Sequence, residues 1–322
     1  MNDSDTMDKT PHFVRPDVSA FLSFLNGMDR PQLSEMALEE ARASYVAMNP
    51  LAEADPRELA VIKDLTCPGP AGDIPIRLYD ARGTREPGPV VMFYHGGGFV
   101  IGDLESHHNL CTEIAAELDM PVVAVHYRLA PEHPFPAAPD DCEAATRWVA
   151  GSPEELGRKI TGLIPMGDSA GGNLTIVTTQ ALAEKPADVP VVLQVPIYPL
   201  SDEKPDHPSM INFAEGFLLT AEAMAWFGEC YKAASDDKRA YPILGEHSDM
   251  PPTVLITAGL DPIRDSGRVY GMELIRAGSD VVFLEMKGSI HGFTNVRKAI
   301  PSAQVDLHRV FAAMRLMLGM AE

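Results

Sequence analysis

From Pro56 onward the chain alternates short apolar, β-branched runs with stretches of helical periodicity, and that alternation restricts it to an α/β architecture, a sheet wound with crossover helices. The runs predict eight strands, at residues 61–65, 74–79, 90–94, 122–126, 162–166, 191–197, 254–258 and 281–285. Between and after the later runs, helical spacing covers 106–118, 137–149, 170–183, 221–231, 265–277 and 302–318. Pro68, Gly69, Pro70 and Gly72 turn the first two strands into a hairpin, and the others read as parallel. Pro165 conflicts with this scheme locally, because a central strand needs its N–H for the ladder; the conflict bears on the strand's pairing, not on its existence.

Before Leu51 the spacing is helical. Val18, Phe21, Leu22 and Leu25 share one face, and Leu33, Met36, Ala37, Ala41, Tyr45 and Met48 repeat the pattern, so two amphipathic helices are expected. With 322 residues, 45 % of them hydrophobic, the chain can bury a large core. A formal net charge of −20 excludes a nucleic-acid partner, which would require a basic stripe, and describes a solvated acidic surface. Residues Met1 to Asp17 carry acids and prolines where a secretory signal would have a basic start and an apolar core, and no segment is apolar enough to cross a bilayer. The four cysteines, Cys67, Cys111, Cys142 and Cys230, are widely spaced, without a CxxC pair or metal-ligand spacing to histidine. The expectation is a cytoplasmic protein with free thiols and no membrane partner.

Gly167, Asp168, Ser169, Ala170 and Gly171 follow an apolar run and open a helical one. This is a G-x-S-x-G turn, in which small residues let the chain reverse and present a serine above a strand end. A serine hydroxyl is a weak nucleophile until a base accepts its proton, and that base needs an acid to fix its tautomer. Asp261 lies just past a strand and a Gly259 turn; it also suits a helix cap before Pro262. Asp265 is the rival acid but lies deeper in the helix. His291 follows the last strand and a Gly288 turn. Its competitors are less well placed: His107 and His108 open a helix, His126 lies in a strand, and His133, His207 and His247 sit among turn residues. No metal is expected, since the paired histidines lack i, i+4 spacing, and acyl transfer to a serine needs no cofactor. The run His95, Gly96, Gly97, Gly98 supplies backbone donors for an oxyanion, with Gly97, Gly98 and the Ala170 N–H as the candidates and His95 bracing the loop. A phosphate cradle is disfavoured, because no Lys, Ser or Thr stands where a P-loop needs one.

With these residues placed, the chain resembles the hormone-sensitive-lipase family of bacterial esterases. The resemblance rests on YHGGGFVIG from Tyr94, YRLAPE from Tyr127, GDSAGGN from Gly167, DPIRD from Asp261 and HGF from His291. It implies an α/β-hydrolase fold: an eight-stranded, mostly parallel sheet with helices on both faces and a helical cap. Residues 1–50 would form the cap region and 51–322 the catalytic domain, with an insertion at about 201–220 adding to the cap. It also implies Ser169 as nucleophile, His291 as general base and then acid, Asp261 as its partner, and Gly97, Gly98 and Ala170 as oxyanion donors. Phe21, Phe24, Met210, Phe213, Phe217 and Leu219 would be the acyl-site walls. The implied activity is hydrolysis of short- to medium-chain esters of small molecules. An amidase or lactonase would use the same triad, and a receptor of this fold would lack the histidine that His291 supplies. The edge of the last strand, 281–285, is where the resemblance implies a homodimer.

Overall fold

The apolar runs pair into one sheet in the computed structural model, which describes residues 12–29, 31–202 and 204–320. Residues 1–11 of the stretch read as free of a signal, and residue 203 of the expected insertion, lie outside these. The strands are β1 (Val61–Gly69), β2 (Gly72–Asp80), β3 (Gly88–Tyr94), β4 (Val122–Val125), β5 (Ile160–Asp168), β6 (Val195–Ile197), β7 (Thr253–Leu260) and β8 (Val281–Ile290). Their order across the sheet is β1-β2-β4-β3-β5-β6-β7-β8. β1 pairs antiparallel with β2, and β2 antiparallel with β4; every later pairing is parallel. The helices are α1 (Pro16–Asn26), α2 (Leu38–Ala47), α3 (Asn49–Ala52), α4 (His108–Leu118), α5 (Ala137–Ala150), α6 (Ala170–Glu184), α7 (Pro208–Asn212), α8 (Ala221–Tyr231), α9 (Arg264–Arg276) and α10 (Pro301–Met317).

Because side chains alternate across a strand, a sheet covered on both sides buries both sets. β3 does this: Val91 and Phe93 pack with α4 and α10, while Val90, Met92 and Tyr94 pack with α5 and α6. At Pro165 the sheet accommodates the missing donor in its neighbour. Leu163 pairs with Val191 and Met166 with Val195, so the adjoining chain carries one extra residue opposite the proline. Leu163 bonds to Pro190 and Val192 on that side, and the residue two further on turns its backbone the same way, so Pro165 meets the irregular stretch of the ladder. The regular part of β6 is therefore shorter than the run 191–197. β8 continues past the predicted residue 285, because a register shift between Ala258 and Leu260 lets Leu260 pair with Ile290.

Helix α1 buries Val18, Phe21, Leu22 and Leu25 as its spacing requires. Arg15 fixes it to the sheet's outer edge, donating to the carbonyls of Gly288 and Lys287 and pairing with Asp306 on α10. The second expected helix is interrupted. Leu33–Glu35 forms a 3-10 turn closed by a capping box between Gln32 and Glu35, Met36 is extended, and α2 starts only at Leu38. Among the described residues no helix is long and apolar enough to cross a membrane.

Candidate active site

Ser169 stands between the end of β5 and the start of α6 with φ 56° and ψ −117°, a backbone conformation that costs an L-residue about 1–3 kcal/mol. The strain is held by close backbone packing. A Cβ on Gly167 or on Gly171 would collide with the Tyr94 carbonyl of β3, and Ser169 itself donates its N–H to Ile197 at 2.9 Å. Only glycine at both positions allows the turn to approach β3 this closely.

The two partners arrive from neighbouring strand ends. Asp261 follows β7 and His291 follows β8. His291 Nε2 lies 2.8 Å from Ser169 Oγ, and His291 Nδ1 lies 2.7 Å from Asp261 Oδ2. The Asp261 carboxylate can only accept at this distance, so it selects the tautomer with the proton on Nδ1 and leaves Nε2 free to accept from the serine. Its other oxygen accepts the Ile263 N–H at 2.9 Å, which fixes the carboxylate's orientation. Asp261 is fully buried and His291 nearly so. Asp265 binds elsewhere, accepting from the Ser209 N–H and pairing with Arg264 and Arg268. Burial would raise its carboxyl, but those partners hold it below the usual carboxylate range.

The glycine loop reaches the same point from the end of β3. Gly97 and Gly98 take φ of 115° and 59°, and neither N–H has a protein acceptor among the described residues. Ala170, the first residue of α6, has no intrahelical acceptor for its N–H either. Gly96, by contrast, is engaged: its N–H donates to Asp168 Oδ1 at 2.9 Å, and its carbonyl lies 2.7 Å from His95 Nδ1. Asp168 also meets His107 Nε2 at 3.1 Å. Burial alone would raise the Asp168 carboxyl, but His107 and the Gly96 N–H bring it below the ordinary value. The His95 ring stacks on Tyr127 at 4.3 Å, and burial drives its pKa well below that of free imidazole.

A cavity of about 340 Å³ opens over Ser169, Ala170 and Gly98. Of the residues expected to wall it, Met210 and Leu219 do so. Phe21 and Phe213 are instead buried in the main core, Phe217 packs against that core, and Phe24 is 67 % exposed. Residues 12–29 and 31–50 contribute no lining side chain; the wall comes from the segment after β6 and from α8, whose Met224 and Phe227 face inward. Helix α8 was legible as a helix, but its role was not, since spacing shows that a face is buried without showing against what. His207 also borders the cavity, held by Asp202 at 2.9 Å. Between α4 and α10 Glu113, Glu117 and His308 converge, but Arg57 pairs with both carboxylates.

The profile of the alpha/beta hydrolase fold family matches residues 91–295, more than half of the chain, from β3 through the loop, the turn, Asp261 and His291. The chain belongs to the α/β-hydrolase family. The hydrolase is 37 % identical to Esterase LipI of Mycobacterium tuberculosis over 268 residues, covering 81 % of its own length and 83 % of the esterase. Its identity to the ethyl acetate hydrolase of Pseudomonas putida is 34 % over 319 residues, covering 94 % and 98 % of the two chains. Among solved structures, the ester-hydrolase EH1AB1 from the metagenome of Lake Arreo, in complex with a bipyridine phosphonate derivative, is 34 % identical. It superimposes with a TM-score of 0.89 over 96 % of the hydrolase and all of that chain. These relatives place the hydrolase in the branch resembling hormone-sensitive lipase, among carboxylic ester hydrolases.

Proposed function

We propose that the hydrolase cleaves short- to medium-chain acyl esters through an acyl-enzyme on Ser169. The observation that carries the reading is the continuous chain Ser169 Oγ, His291 and Asp261, at 2.8 and 2.7 Å, beside three N–H groups without an acceptor among the described residues. His291 takes the serine proton as Oγ attacks the ester carbonyl, and Asp261 stabilises the imidazolium that forms. The oxygen of the tetrahedral intermediate is stabilised by the N–H groups of Gly97, Gly98 and Ala170. His291 then protonates the leaving alcohol, and water, activated by the same histidine, releases the acid. The mostly apolar wall of Met210, Leu219, Met224 and Phe227 suits an aliphatic acyl chain, and its modest volume favours shorter ones.

The test is hydrolysis of p-nitrophenyl esters from acetate to palmitate by the wild type and by Ser169→Ala. Serine-dependent turnover peaking at short chains is the expected result. Hydrolysis retained by the purified variant would refute the mechanism. The edge of β8 at 281–285, where Phe283 is 38 % exposed, is the surface proposed for self-association, and a monomer mass by light scattering would remove that proposal.

A further inference from the structure

At the end of the sheet opposite Ser169, a second cavity of about 420 Å³ lies where β3 and β5 begin. Arg158 lines it, with a side chain only 5 % exposed. Its Nη2 lies 3.1 Å from Asp80 Oδ2, but Nε and Nη1 are buried without an acceptor among the described residues. Buried donors left unpaired are strongly unfavourable, and an unpaired charged one more so, so such a group calls for a missing partner.

The charges around it do not supply one. Asp80, fully buried, is shared between Arg85 at 2.6 Å and Arg158, so one carboxylate stands against two guanidinium groups. At the mouth Arg82 is spent on Asp119, which also takes Arg85, while exposed Lys159 and Glu86 offset each other. Among the described residues one positive charge stays unbalanced below the surface, and burial lowers the Arg158 pKa despite Asp80. The rest of the lining carries no polar side chain, and Met120, Pro121, Ile160, Leu318 and Met320 are among it.

We propose that this cavity is a binding site for a short-chain aliphatic carboxylate, its single charge answering Arg158 and its tail lying along the Met120, Pro121 and Leu318 wall. A monoanion matches the one unbalanced charge, and the volume and apolar lining exceed what an inorganic ion uses. The binding stands on this geometry alone. That such a carboxylate is also the class of acid the hydrolase would release rests on the function proposed above.

The test is a thermal-stability titration with sodium hexanoate against sodium chloride and sodium phosphate at matched ionic strength. The protein is first treated with a p-nitrophenyl alkylphosphonate, so that hexanoate cannot enter the pocket over Ser169. The mass gain on Ser169 reports on the catalytic reading, and the titration reports on this cavity, so either can fail without the other. A saturable rise in Tm of about 4 °C at a hundredfold excess over Kd is expected for hexanoate alone. Arg158→Met abolishes the rise. Lys159→Glu changes an exposed side chain at the mouth, leaves the fold intact, and weakens binding at least severalfold, which covers the case in which Arg158→Met does not fold. An equal response to chloride or phosphate, or a hexanoate response unchanged in either folded variant, would overturn the proposal.

Discussion

The Gly96 N–H donates to the Asp168 carboxylate at 2.9 Å, so the residue before the nucleophile holds the first glycine of the loop that carries the oxyanion donors. His107 Nε2 lies 3.1 Å from the same oxygen, and Tyr198 and Asn295 donate to the other, which completes the clamp. The distance between serine and donors is therefore set by a side chain that touches neither.

Asp168→Ala releases the loop and lowers kcat about 10- to 100-fold with KM little changed, as expected when reacting groups are misplaced by a fraction of an ångström to an ångström. Asp168→Asn keeps an oxygen for Gly96 and recovers most of the loss. A steady-state comparison of the two variants on one ester decides it; equal losses in both would mean that charge, not position, is what Asp168 supplies.

Asp261→Asn replaces an oxygen acceptor by an amide that can present a donor to His291 Nδ1, and so favours the wrong tautomer. The expected drop in kcat is about 10³ to 10⁴ at neutral pH. Presteady-state release of p-nitrophenol should lose its burst, and a normal burst would contradict the assigned role.

Gly98→Ala adds a Cβ that would strike the Phe227 ring, at a φ of 59° that alanine resists. Because the loop must shift to relieve both, removal of its N–H from the oxyanion lowers kcat about 10² to 10³-fold. Turnover within threefold of wild type would show that Gly98 is not a donor.

Phe227→Ala leaves the loop in place and deepens the cavity. The ratio of kcat/KM for octanoate over butyrate esters rises about tenfold, the scale of a methylene-sized change in a hydrophobic pocket. The ester series measures it directly, and an unchanged ratio would place the acyl chain elsewhere.

Low pH destabilises the protein through His95. Its folded pKa is depressed by burial, so between that value and the unfolded pKa of about 6.5 the unfolded chain binds the extra proton. The stabilisation is complete above pH 6.5 and is lost as pH falls, by up to about 1.4 kcal/mol per pH unit for one such group. Denaturant melts of wild type and His95→Gln from pH 7 to 4.5 check this: the variant's stability falls less steeply. Parallel slopes would exclude His95 as the source.

Much of this site could be read before any fold was known, because its chemistry is tied to local signals. Ser169 sits in a five-residue turn whose glycines are required by packing, and Asp261 and His291 follow strands that β-branched runs announce. The pocket wall was different. Phe21 and Phe213 have the spacing of buried residues and are buried, but against the core, while Phe227 faces the oxyanion loop from a helix no local pattern connects to it. Which surface a face meets is decided by long-range packing. Pro165 shows the reverse case: the proline was visible, but its remedy, an extra residue in the adjoining chain, exists only in the register between two strands.

The Tyr94 carbonyl is the surface on which both Gly167 and Gly171 rest, and His95 follows it directly at the head of the glycine loop. A methyl group at either glycine would therefore push on the strand that carries the donors as well as on the serine. Nucleophile and oxyanion loop share one mechanical datum, so a change at this point disturbs both. Lineages that keep the activity have little freedom at these two positions, however far the surface diverges.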